Sequence, residues 1–157
     1  MQADGRTTFN RLGVTADIID VVMDCYRANW QQCRELAQRL RGATVHQTAR
    51  NIYDYILTNV NYNADPLGVQ WVRTPARLLT DGTGDCKSFS ILAASILKCL
   101  NINAVFRFVA IGQNDYHHVY VIAEDNTIID PCPQSDGQVK FNFENKARKF
   151  ADYYLFK

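Results

Sequence analysis

From Phe89 to Leu100 the apolar residues fall at offsets of three and four; from Ala104 onward they give way to short β-branched and aromatic runs. Phe89, Leu92, Ala93, Ile96, Leu97 and Leu100 form one stripe, which predicts a buried helix from about Asp85 to Leu100. Ala104 to Ile111, Tyr116 to Ala123 and Thr127 to Ile129 predict three antiparallel strands, with turns at Gly112–Asp115 and Glu124–Asn126. Pro131 and Pro133 end the third strand at once, because proline has no N–H to give a ladder. A helix that must be buried beside a meander of strands admits few architectures. The expected fold is α+β, with this helix packed on an antiparallel sheet and further helices before it.

The first third reads as helical. After a polar lead-in to about residue 14, Thr15 is a cap for a helix whose stripe is Ile18, Ile19, Val22, Met23 and Tyr26. Trp30, Cys33, Leu36 and Leu40 carry the pattern on after a kink, and Gly42 ends it. A second helix is expected from Thr44 to Val60, then a loop from Asn61 to Gly68. Thr74-Pro75 is a cap followed by proline in the first turn, opening a short helix to Leu79, with Asp81 to Gly84 a loop. The tail from Lys140 mixes aromatics with charges and admits either helix or strand. At 157 residues one domain is expected: a mainly helical part (1–60), a core (61–132) and a C-terminal extension (133–157).

Composition excludes several partners. A net charge of +1 gives no electrostatic footprint for nucleic acid or an anionic membrane. The basic groups Arg34, Arg39 and Arg41, and Lys146, Arg148 and Lys149, read as solvated faces or helix ends. No apolar run approaches the roughly 18 residues of a membrane span, and the polar N-terminus is unlike a secretory signal. The five cysteines are odd in number and form no CxxC pair, so neither a disulfide framework nor a zinc knuckle is expected. A reducing, cytoplasmic location follows, with packaging into a virion as the alternative. No metal or cofactor is expected.

Gly82 and Gly84 interrupt regular structure just before the buried helix and so put Cys86 in its first turn. Unpaired N–H groups and the positive end of the helix dipole favour a thiolate there. Thiol acyl chemistry also needs an imidazole to move the proton and a third group to hold that ring. His118 on the middle strand and Asp130 at the end of the last strand supply them on one hairpin. Each residue alone has an ordinary explanation: a core cysteine, a structural histidine, a turn aspartate. The three could alternatively hold zinc, but without paired-ligand spacing. Lys87 would favour the thiolate and Asp85 oppose it, unless both point to solvent. Cys132 reads as an ordinary packed cysteine, with a disulfide to Cys86 under oxidation as the alternative.

In this order and spacing the chain resembles the transglutaminase-like superfamily of papain-related enzymes. The residues that carry the match are Arg73-Thr74-Pro75, Gly84-Asp85-Cys86-Lys87-Ser88-Phe89-Ser90, Asn101-Ile102, His118-Val119-Tyr120-Val121 and Ile128-Ile129-Asp130-Pro131, across roughly residues 60 to 132. The resemblance implies Cys86 as nucleophile, His118 as general base and acid, and Asp130 as the orienting carboxylate. It selects His118 over its neighbour His117, since alternation along a strand lets one of the two face the cysteine. It also implies an oxyanion donor from an upstream segment, for which Gln70 and Trp71 are the candidates, beside the Cys86 N–H. The activity implied is a thiol-dependent amide hydrolase or acyltransferase of bacterial or phage type, acting on a peptide or protein. The alternative is a catalytically inactive module of the same fold.

Overall fold

A computed structural model of the chain describes residues 6–9, 16–64, 70–110, 116–134, 136–144, 147 and 149–156. The expected buried helix is α5 (Cys86–Cys99), and it is more central than an amphipathic stripe requires: every residue from Cys86 to Leu97 is buried. A helix buried all round needs partners on all sides. Helices α1 (Ala16–Asn29), α2 (Arg34–Leu40) and α4 (Pro75–Asp81) supply them on one side, with the 3-10 turn Trp30–Cys33 between α1 and α2. That turn is the kink expected after Tyr26. Helix α3 (Val45–Asn59) begins behind Thr44, whose hydroxyl accepts from Gln47 N at 3.0 Å.

On the other side lies a four-stranded antiparallel sheet. Its strands β5 (Ala104–Ala110), β6 (His118–Ala123), β7 (Ile128–Ile129) and β8 (Lys149–Tyr154) stand in the order β7-β6-β5-β8. Phe106 is paired with Val121 and Phe108 with Val119, and all four belong to the core that encloses α5. Two buried hydroxyls of α5 fix its position. Ser90 donates to Val119 O on β6 at 3.1 Å, and Ser88 accepts from Arg73 N at 3.0 Å.

The ambiguous tail resolves into β8, which pairs with β5 along its whole length. Arg107 on β5 makes a two-pronged contact with Asp152 on β8, with both N–O distances 2.8 Å, and lies over the Phe150 ring. Other expectations need correction. The polar lead-in contains β1 (Arg6–Phe9), paired antiparallel with β3 (Gln70–Arg73). The stretch expected as loop after α3 begins with β2 (Asn61–Tyr62), which runs parallel to β4 (Thr83–Gly84). Backbone pairing made these short strands, and side-chain period carries little signal over two to four residues. The expected Thr15 cap, most of the 61–68 loop beyond Ala64, and the Gly112–Asp115 turn lie outside the described residues.

Candidate active site

Cys86 opens α5 and is 7% exposed. The turn that delivers it is built by α4 and β4. Gly82 caps α4 at φ +70°, the left-handed conformation glycine adopts without strain, and its N–H bonds Leu78 O. Asp85 is the N-cap of α5, its carboxylate accepting from Lys87 N at 3.1 Å. The Lys87 ammonium also pairs with that carboxylate, and both side chains are buried. The two charges beside the thiol therefore neutralise one another and do not point to solvent.

His118 begins β6, with its side chain 15% exposed. Its Nε2 bonds Asp130 Oδ2 at 2.7 Å, and its second hydrogen-bonding partner is Cys86. Since Nε2 is committed to Asp130, Nδ1 is the ring atom left for the thiol. Burial pushes the imidazole toward its neutral form. The bonds to Asp130 and Cys86, and their charges, outweigh burial and hold its pKa up at about 10. His117 is half-buried, with its N–H bonded to Val109 O at 3.0 Å; Asp130 is joined to His118.

Asp130 follows β7 directly and is buried. Two nitrogens meet its Oδ2, His118 Nε2 and Gln134 Nε2, the latter at 3.2 Å. Cys132 is buried with a free thiol. Burial, then the neighbouring charges of Asp130, Cys86 and Asp85, push that thiol well up, so it stays protonated. The arrangement also bears on zinc. Among the described residues no group of three or more His, Cys, Asp or Glu side chains is arranged to hold an ion.

Two residues near the site carried no sequence signal. Gln134 lies four positions past Asp130, beyond two prolines, in a segment without periodicity. Tyr62 is brought by β2 against Phe89, the ring centroids 6.0 Å apart and edge-on. It is 41% exposed, and its hydroxyl is pushed up by burial and then by Cys86, Cys132, Asp85 and Asp130. For the oxyanion candidates Gln70 and Trp71, the backbone forms β3 while the side chains lie outside the description. A cavity of about 450 Å³ lies elsewhere, lined by Arg107, Glu124, Glu144, Asp152 and neighbouring residues of the sheet.

A cysteine at the head of a central helix, joined to a histidine that opens a strand of an antiparallel sheet, defines a papain-like α+β protein. The sequence pattern of the transglutaminase-like superfamily matches residues 34–127. The chain belongs to that superfamily. The match reaches back into α2, further than the motifs alone, and it stops before Asp130, whose place is known from the geometry. No curated protein matches the sequence. Among solved structures, a candidate cysteine protease from Cytophaga hutchinsonii superposes with a TM-score of 0.50 at 18% identity, over 96% of this chain and 62% of that one. A candidate protease from Parabacteroides distasonis gives 0.51 at 15%, over 74% and 31%. Calcium-bound LapG from Legionella pneumophila gives 0.47 at 18%, over 83% and 74%. The chain spans less than two thirds of the length of the first two. The first two likenesses show the fold.

Proposed function

We propose that this chain is a thiol-dependent amide hydrolase or acyltransferase working through a thioester. The observation that carries the reading is His118, bonded at Nε2 to Asp130 and hydrogen-bonded also to Cys86, for which Nδ1 is the ring atom left. In that arrangement the thiol proton passes to Nδ1, and the sulfur attacks the carbonyl carbon of an amide. The carbonyl electrons move to oxygen, where the Cys86 N–H at the head of α5 is a candidate donor. Collapse breaks the C–N bond, and Nδ1 returns its proton to the departing amine. Water or an amine then gives a proton to His118 and attacks the thioester, releasing the acyl group and restoring the thiol. Asp130 holds the ring with the Nε2 proton toward itself, so that Nδ1 stays available to the sulfur.

The substrate class that fits is a peptide or protein amide, with Tyr62 as an exposed aromatic packed on Phe89 of the same helix. Cytoplasmic or virion-associated action fits a site that needs a reduced thiol. The test is reaction with iodoacetamide near neutral pH and trapping of a thioester from a panel of acyl donors. Cys86 should react faster than a free thiol, and Cys86→Ala should lose both reactions while keeping the fold. A folded wild-type chain whose Cys86 behaves as an ordinary thiol, and which forms no thioester, would make this a binding module of the same fold.

A further inference from the structure

We propose that Gln134 is a positioning residue of the site: its side-chain amide pins the Asp130 carboxylate so that Oδ2 stays on the His118 ring. The inference rests on the reading of Cys86, His118 and Asp130 just given. Gln134 is 7% exposed, between an exposed Pro133 before it and exposed residues from Asp136 to Val139 after it. A tight turn fixes its backbone: Gln134 N donates to Gln138 O and Gly137 N donates to Gln134 O, both at 2.8 Å, with Gly137 at φ +79°. The side chain is thereby turned inward. Its Nε2 donates to Asp130 Oδ2 at 3.2 Å and to Cys132 O at 3.1 Å. One amide thus ties the carboxylate to the backbone of the loop that follows it.

The carboxylate needs this tie. Asp130 Oδ1 is buried and has no hydrogen-bond partner among the described residues. Both nitrogen donors that orient the group therefore fall on Oδ2, and one of them belongs to the ring that Asp130 holds. Without Gln134 the carboxylate keeps His118, the ring it has to position, and the weak S–H donor of Cys132. With one nitrogen donor left, the carboxylate can turn further toward the protonated Cys132 thiol. The titratable groups facing the pair are Cys86 and Asp85 at the head of α5, Cys132 on the loop, Tyr53 on α3 and Tyr62 on β2.

Two substitutions separate positioning from packing. Gln134→Met keeps an unbranched chain of similar size and removes both donors. Gln134→Glu keeps the shape and can donate only while protonated. The probe is iodoacetamide, with the rate of Cys86 alkylation followed from pH 5 to 9.5 and the His118 Nε2 proton observed by NMR. Gln134→Met should react roughly ten- to hundredfold more slowly at pH 6, the usual scale for losing a residue that orients a reacting one. It should converge on the wild type at the alkaline end, and its His118 Nε2 proton should broaden through exchange. Gln134→Glu should stay near the wild type at acid pH and fall away as pH rises, because two adjacent buried carboxylates cannot both ionise cheaply. In the wild type, the Gln134 side-chain amide protons should exchange slowly with solvent, a measurement that needs no variant. Fast exchange there overturns the proposal. So do wild-type alkylation profiles and a sharp Nε2 proton in both variants, or losses that are equal at every pH and follow the melting temperature. If wild-type Cys86 reacts as a free thiol, the proposed function fails, and the NMR readouts still decide the role of Gln134.

Discussion

Asp130→Asn separates the charge of the site from its shape. Asn keeps the size of the side chain and an oxygen that accepts from His118 Nε2, while the negative charge is gone. In the intact site His118 keeps its proton to about pH 10, against 6.5 for an ordinary imidazole. At about 1.36 kcal/mol per tenfold in proton affinity, that is on the order of 5 kcal/mol in favour of the imidazolium. The bond to Asp130 is the largest single contribution that raises it, and a share of roughly half is on the order of 2 kcal/mol. With the side chain only 15% exposed, solvent screening removes little of this. The folded pKa lies above the unfolded one, so the stabilisation is complete below about pH 6.5 and is lost as pH rises toward 10. The measurement is differential scanning calorimetry from pH 5 to 10 in a Cys86→Ala background, where no thiol titrates beside the ring. At about 2–4 °C per kcal/mol for a chain of this size, Asp130→Asn should lower Tm by roughly 4–8 °C at pH 5.5. The gap should narrow steadily above pH 6.5, as the wild-type carboxylate comes to face a neutral ring. A gap that is constant across the range, or widens with pH, refutes the claim that the Asp130 charge holds the imidazolium.

Timed alkylation followed by peptide mass spectrometry should label Cys86 first and leave Cys132 unlabelled in the native protein, since burial keeps the latter thiol protonated and covered; early labelling of Cys132 would contradict this. Gly84→Ala should cost about 1–3 kcal/mol in chemical denaturation and slow Cys86 alkylation. Its new Cβ would lie 2.5 Å from Leu78 Cδ1, a fully buried side chain, on the strand that leads into Cys86. Arg107→Met should lower stability by about 2 kcal/mol and speed amide exchange along β8, because Asp152 and Glu144 lose the guanidinium that both of them bond. Arg107→Lys should recover only part of that, since an ammonium cannot make the two-pronged contact.

The sequence by itself determined the class of fold and the main elements. A 3.6-residue period up to Leu100 followed by β-branched runs leaves little besides a buried helix on an antiparallel sheet, because each period commits its residues to one buried face. The position of Cys86 at the head of that helix was equally legible, since capping depends on Asp85 and on glycines adjacent in the chain. Elements whose partners lie far away in sequence were not legible. Strand β8 exists because Lys149–Tyr154 finds the free edge of β5, and β2 exists because Asn61–Tyr62 meets Thr83–Gly84; no local period records such meetings. The site divides along the same line. His118 and Asp130 share a hairpin and were readable as a pair. The neutralisation of Lys87 by Asp85, the approach of Tyr62 and the inward turn of Gln134 were decided in three dimensions. Burial and hydrogen-bond geometry set the charge of a side chain and the direction it points, and the folded chain alone fixes both.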